Sequence, residues 1–409
     1  MSPLSEENPF LRYRFALDVY HEAVRRGWSD ERFVALVSEM DEAIARVAGT
    51  GFRVTPLTAH PALASALELR TDWLWVKDET ANVGGSHKAR HLFGTALWHR
   101  LDDEPPTELG IASCGNAAVA AAMVARALDQ RLRVFVPTWA EPEVLVLLTE
   151  LGASVEECER RPDELGDPPF LRFAEAVAAG LTPFSVQAST TPSTLDGGRT
   201  IGFYIAKKLH RAGVEDTIRL VVQVGGGALA SAAWLGLVQG EREWGMITSA
   251  VLHAVQTEAA APLPRAWDLL TGSIADLPLR WPARAFHLAD NPAAIAELDV
   301  IATAEPDLFM QPWEEPGHSA ASGILDDITH DWMTVVFPMV RSGGWPVVIT
   351  EAQVEQANVM GRLHTGINVS PTGTAGLAGL LDAGMKAEVT PENHVVVMFT
   401  GVDRSRPER

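Results

Sequence analysis

The chain is short of several things at once. It holds two cysteines, Cys114 and Cys158, among 409 residues. Two cysteines make neither a disulfide framework nor a paired-thiolate zinc pattern, so no metal ligands are assigned and a reducing cytoplasm is the expected compartment. Positive charge is scarce as well. The formal net charge is −20, whereas a nucleic acid or an anionic membrane would demand a basic footprint. No apolar run is long enough to span a bilayer, and Met1–Asn8 lacks the basic and apolar regions of a secretory leader. Neither a membrane nor a nucleic acid is expected as partner, and no regulatory tail is expected after Arg409. Internal repeats and low-complexity tracts are missing too.

Lysine is the most telling scarcity. Five lysines (Lys77, Lys88, Lys207, Lys208 and Lys386) stand against 28 arginines. Ordinary solvated cations in this chain are therefore written as Arg. A lysine differs in that it can lose its proton and act as a nucleophile or base. Lys88 follows Gly84-Gly85-Ser86-His87, behind the apolar run Trp73–Val76, and is the one whose setting suggests such a use.

What is present is an alternation of patterns. Residues 11–48 read as helical. From about residue 73, β-rich runs at 73–76, 109–112, 132–136, 220–224, 247–255, 346–349 and 395–399 alternate with helical ones at 116–128, 141–151, 170–179, 198–209, 228–238 and 375–381. Thr350 and Gln353 are spaced as a capping box that opens a further helix. This order predicts an α/β protein with mainly parallel sheets and helices on both faces. Ligands of such sheets bind where strands end and helices begin. Residues 260–345, rich in Pro, Trp and Gly, read as long surface connections at an oligomer interface.

Four strand ends carry unusual residues. The first is that of Lys88. At the second, Ser113-Cys114-Gly115-Asn116 opens a helix of small residues. Backbone N–H groups there could bind a carboxylate, and an ordinary N-cap by Ser113 or Asn116 is an equal reading. Cys114 reads as a small apolar residue of that loop. At the third, Gly225-Gly226-Gly227-Ala228-Leu229 connects a strand to a helix. Three glycines in so short a turn favour backbone wrapped round a phosphate over a merely flexible link. Gly225, Gly227 and Ala230, with Glu258 beyond the next strand, also satisfy a loose dinucleotide pattern, so a dinucleotide-dependent oxidoreductase is the alternative from another class. At the fourth, Thr400 ends the last strand, where unaided its hydroxyl reads as a cap. Asp78 and Glu79 read as solvated carboxylates or as an acid for a leaving group.

Taken in order, these four motifs resemble the pyridoxal-phosphate enzymes of the tryptophan synthase β family, also called fold type II, from Thr55-Pro56-Leu57 to Asp403. Gly85-Ser86-His87-Lys88 resembles the family's Schiff-base lysine motif, and its His-Lys pair is nearest tryptophan synthase β. Ser113-Cys114-Gly115-Asn116 resembles the loop that holds the substrate carboxylate, with Asn116 also meeting the cofactor's 3′ oxygen. Gly225, Gly226, Gly227, Ala228 and Leu229 resemble the phosphate loop. Thr400 takes the place of the hydroxyl that meets the pyridine nitrogen, and His87 is a further phosphate contact. The resemblance implies two three-layer α/β domains with pyridoxal 5′-phosphate in the cleft between them. It divides the chain into a helical segment 1–50, a large cofactor-binding domain of 51–90 and 186–409, and a small domain of 91–185 carrying the carboxylate loop.

It also implies a homodimer acting on a small amino acid. The expected chemistry is α-proton abstraction by Lys88 and β-elimination through an aminoacrylate, as in dehydratases and ammonia lyases. A synthase doing β-replacement or forming threonine is the same-fold alternative. Ile111-Ala112 replaces the catalytic Glu of tryptophan synthase β, so indole addition is not expected.

Overall fold

The computed structural model describes residues 7–404 apart from 163, 165, 245–248, 274–280 and 315–316. The strands are β1 Leu57–Ala59, β2 Leu74–Asp78, β3 Glu108–Ala112, β4 Arg131–Pro137, β5 Ser154–Cys158, β6 Thr182–Pro183, β7 Ile218–Gln223, β8 Ala250–Thr257, β9 Val347–Ile349 and β10 His394–Phe399. The chain divides into two compact units, Met1–Thr55 with Ala81–Thr200, and Pro56–Thr80 with Ile201–Arg409.

The first unit holds a four-stranded parallel sheet in the order β5-β4-β3-β6. Helices Asp18–Arg25 and Asp30–Ala48 belong to this unit, as does helix Lys88–His99. The reason is a shared core. Phe10 meets the ring of Phe52 at 5.1 Å and that of Phe93, on the Lys88 helix, at 4.5 Å. The buried Asp196 carboxylate accepts hydrogen bonds from Asp18 N at 3.0 Å, Val19 N at 2.7 Å and Trp98 Nε1 at 3.2 Å, and it pairs with Arg199 at 2.5 Å. Burial pushes the Asp196 carboxyl up, and Arg199 pulls it back toward the ionised form. Residues 51–55, 81–90 and 186–200, which the sequence-based division gave to the large domain, lie in this unit.

The second unit holds a six-stranded sheet in the order β1-β2-β10-β7-β8-β9, parallel throughout except for β1 against β2. Strands β7 and β10 are buried at every position, as continuous apolar runs in a parallel sheet covered on both faces should be. The capping box of Thr350 and Gln353 forms as expected and opens helix Glu351–Thr365.

The reading of residues 260–345 as surface connections is wrong. This stretch forms helices Pro262–Gly272, Trp281–Ala289, Pro292–Ala304 and Met333–Ser342. Leu263, Trp267, Leu270, Leu298, Val335 and Val340 are fully buried in the core of the unit. Pro262 and Pro292 sit in the first turns of their helices, where a missing N–H costs nothing, so these prolines mark starts and not breaks. Strands β1, β5 and β6 escaped the pattern reading for another reason. They are short, or, as in Ser154-Val155-Glu156-Glu157-Cys158, an edge strand with exposed charge. The start of the expected strand at Ile247 lies outside the described residues.

One buried group couples this core to pH. His253 on β8 is wholly buried, its Nε2 accepting from Arg219 Nη1 at 3.1 Å while Nδ1 faces Trp345 O at 3.3 Å. Burial, then the Arg219 charge, pushes its pKa down to about 3. The folded value lies below the unfolded one, so the neutral ring stabilises the fold fully above about pH 6.5. That contribution is lost as pH falls toward the folded value, by about 1.4 kcal/mol per pH unit. Chemical denaturation from pH 7 to pH 4 should show His253→Gln losing stability less steeply than wild type. Equal slopes would contradict a neutral buried His253.

Candidate active site

In the first unit, Lys88 is the first residue of helix Lys88–His99 and is half-buried. The approach is a tight turn in which Gly84 and Gly85 both take left-handed φ, 68° and 69°, which is why neither carries a side chain. A Cβ at Gly84 would lie 3.3 Å from Met123 Sδ, so the Lys88 turn rests on helix Asn116–Ala127. The buried Asn82 closes the turn by donating to Ser86 O at 2.9 Å. His87 is buried and meets the ring of His91 edge-on at 5.6 Å. Arg90, one turn into the helix, is also buried and donates to Arg53 O at 3.0 Å and Thr55 Oγ1 at 3.1 Å. Lys88 is therefore presented at the positive end of a helix whose first turn is fixed by buried polar contacts.

The loop Ser113–Asn116 follows β3 and opens the neighbouring helix. Gly115 is exposed, and Ser113, Cys114 and Asn116 are half-buried. Ser113 Oγ accepts from Gly115 N at 3.3 Å, and Gly115 at the N-cap position makes no side-chain cap. Ser113 thus turns its hydroxyl to Gly115 N, and the helix begins in this loop without a side-chain cap at Gly115.

In the second unit, Gly225–Gly227 follow β7 and lead into helix Ala228–Glu243. Gly227 has φ 105° and makes no side-chain cap to that helix. A Cβ at Gly225 would fall 2.5 Å from Asp326 Oδ2, and one at Gly227 would fall 3.0 Å from Asp331 Cβ. The segment Ile324–Asp331 thus lies against the glycine loop, with Asp331 N donating to Gly226 O at 2.8 Å. Ala228 and Leu229 are buried at the helix start.

Thr400 lies just past β10, next to β7 in the sheet. Its hydroxyl is no helix cap. It accepts a 2.8 Å hydrogen bond from Nε2 of Gln223, the last residue of β7. The same Nε2 faces Thr372 O at 3.2 Å, Gly373 O at 3.0 Å and Met398 O at 3.2 Å. On the next strand the buried Gln256 donates to Val224 O and Thr329 Oγ1, each at 3.1 Å, and accepts from Leu263 N at 2.9 Å. One amide holds the turn of Thr400, the other the entry to the glycine loop. Neither was picked out from the sequence. The available signal was a glutamine ending an apolar run, as in Leu220-Val221-Val222-Gln223.

Asp78 and Glu79 both have partners within the protein. Asp78 Oδ1 accepts from Thr80 N at 2.8 Å and closes a turn. Glu79 is fully buried, its carboxylate 3.0 Å from the Nζ of the equally buried Lys77. Glu79 is thus not a solvated carboxylate, and Lys77 is held as its counterion. Glu258, the acid of the dinucleotide pattern, is exposed and accepts from Glu351 N at 3.4 Å, at the start of the following helix. Among the described residues, no cluster of His, Cys, Asp or Glu could hold a metal ion, and no helix is long and apolar enough to cross a membrane.

Comparison with known proteins adds the family. No curated protein matches the sequence. Solved structures match over almost the whole chain. The T.th. threonine deaminase is 20% identical, covering 91% of this chain and 99% of its own with a TM-score of 0.62. Maize serine racemase is 18% identical, covering 90% and 94%, with a TM-score of 0.60. Diaminopropionate ammonia lyase from Escherichia coli is 16% identical, covering 90% and 89%, with a TM-score of 0.61. At these identities the likeness shows the fold, which is that of fold type II. The family described as "Pyridoxal-phosphate dependent enzyme" matches residues 49–401, which displaces the dinucleotide reading. This chain belongs to the pyridoxal-phosphate dependent enzymes.

Proposed function

We propose that the protein is an ammonia lyase of a small amino acid bearing a leaving group at Cβ, giving a 2-keto acid and ammonia. The observation that carries this reading is Thr400, a neutral hydroxyl in the family's ring-nitrogen position, held by an amide and not by a carboxylate. Bound pyridoxal phosphate supplies the electron sink for loss of the Cα proton. A ring nitrogen faced by a hydroxyl is not protonated, which tempers that sink and favours prompt loss of the β substituent over transamination.

The residues present fit the cofactor. The glycine loop is backbone packed too closely against Ile324–Asp331 to carry side chains and leads into a helix N-terminus without a side-chain cap, and such a turn suits a phosphate. Gly225, Gly226, Gly227, Ala228 and Leu229 would hold that phosphate, with His87 as a further donor. Lys88 would carry the cofactor. Its Nζ would then take the Cα proton, a role helped by a helix N-terminus that disfavours an ammonium there. The N–H groups of Ser113–Asn116 would bind the substrate carboxylate, with Asn116 also facing the cofactor's 3′ oxygen. The names of similar structures, threonine deaminase and diaminopropionate ammonia lyase, support the lyase class.

Two experiments test this. Lys88→Ala should lose the visible absorption of lysine-bound cofactor and lower turnover roughly 10^3-fold. An unchanged spectrum would remove Lys88 from its role. Incubation with serine, threonine, 2,3-diaminopropionate, O-acetylserine and O-phosphohomoserine should release keto acid from at least one of them, with one ammonia per keto acid, or two from 2,3-diaminopropionate, whose leaving group is itself ammonia. A new amino acid in place of keto acid would make the protein a synthase. Inversion at Cα without keto acid would make it a racemase, the activity named for the maize relative. Either result would overturn the lyase reading.

A further inference from the structure

We propose that Gln223 is a positioning residue that sets the direction of the Thr400 hydroxyl proton. This rests on the reading that Thr400 faces the ring nitrogen of the cofactor. The orientation of the amide follows from its surroundings. Three carbonyl oxygens, those of Thr372, Gly373 and Met398, lie within 3.2 Å of one amide atom. Only the NH2 group can face three acceptors, so that atom is Nε2 and the opposite flip is excluded. The fourth oxygen at Nε2 is Thr400 Oγ1, at 2.8 Å the shortest of the set. Thr400 is thereby the acceptor in this bond, and its own proton points away from Gln223.

The arrangement costs stability elsewhere. Gln223 Oε1 is buried without a hydrogen-bond partner. It occupies the space beside Gly376, where a Cβ would lie 2.7 Å from it. An orphaned buried carbonyl is destabilising. A polar residue kept on those terms is explained by what its other end does. Thr400 is also fixed by its backbone, with its N donating to Gly373 O at 3.4 Å and the next residue's carbonyl accepting from Ser370 N at 2.9 Å. The turn is therefore rigid, and the amide bears directly on the hydroxyl torsion. With Thr400 as donor, a ring nitrogen in front of it is an acceptor and carries no proton of its own.

The test uses holoenzyme loaded with pyridoxal phosphate labelled with 15N in the ring, and reads the nitrogen chemical shift by NMR. Thr400→Val should move the signal downfield, toward a pyridine without a hydrogen bond. Gln223→Met keeps the side-chain length but removes the donor, so the three carbonyls compete for the Thr400 proton. It should reproduce most of the Thr400→Val shift. Thermal unfolding of each variant separates a packing effect, because a merely structural Gln223 would change Tm and leave the nitrogen signal at its wild-type position. That outcome overturns the proposal while leaving the Thr400 reading intact. An unmoved signal in Thr400→Val overturns the Thr400 reading itself, and the proposal with it. If Gln223→Met does not fold, Gln223→Asn draws the donor back by one methylene. A partial downfield shift there supports the proposal, and none overturns it.

Discussion

Buried backbone carbonyls at the carboxyl ends of a parallel sheet need donors, and in the second unit two glutamine amides supply them. A parallel ladder leaves strand ends unpaired where the chain turns away, and water cannot reach these. Gln223 faces the carbonyl of Met398 near the end of β10 and those of Thr372 and Gly373 in the first turn of helix Pro371–Ala378, and Gln256 donates to that of Val224. Each amide also reaches a turn that follows its sheet: the Thr400 hydroxyl in one case, the residue leading into the glycine turn in the other. The same contacts that make the sheet end stable thus hold the Thr400 hydroxyl and the glycine turn in fixed positions.

A comparable economy holds in the first unit. Lys88 opens a helix whose first turn is anchored by Arg90 to the backbone of Arg53 and the hydroxyl of Thr55. That helix shares Phe93 with the aromatic core built by Phe10 and Phe52. The N-terminal helices are therefore part of what positions Lys88. Asp196 ties them in by receiving two backbone N–H groups at the start of helix Asp18–Arg25.

Legibility in the sequence followed burial and locality. Strands such as β7 and β10 are buried on both faces, so their apolar runs stand out, and the glycine turn after β7 is read from three adjacent residues. The motif order could likewise be read before any fold was known. What could not be read was whatever depends on distant partners. Glu79 looks exposed in a charged string, Lys77-Asp78-Glu79, yet it lies in the core because Lys77 neutralises it. Helices Pro262–Gly272 and Pro292–Ala304 open on prolines that pattern reading takes for loops. Gln223 becomes meaningful only when β10 places Thr400 beside it. The grouping of residues 81–90 with the N-terminal helices rests on ring contacts between residues far apart in sequence.

The central claim is that, of five lysines, Lys88 carries the cofactor. Lys77 is held by Glu79, and Lys386 lies 4.0 Å from Glu68, whereas Lys88 stands at a helix start whose approach turn rests on the helix opened by Ser113–Asn116. Reduction of the holoenzyme with borohydride, followed by proteolysis and mass spectrometry, reads the attachment point directly. The account predicts the pyridoxyl group on the peptide containing Lys88 and on no other. Labelling of Lys77, Lys207, Lys208 or Lys386 instead would contradict it.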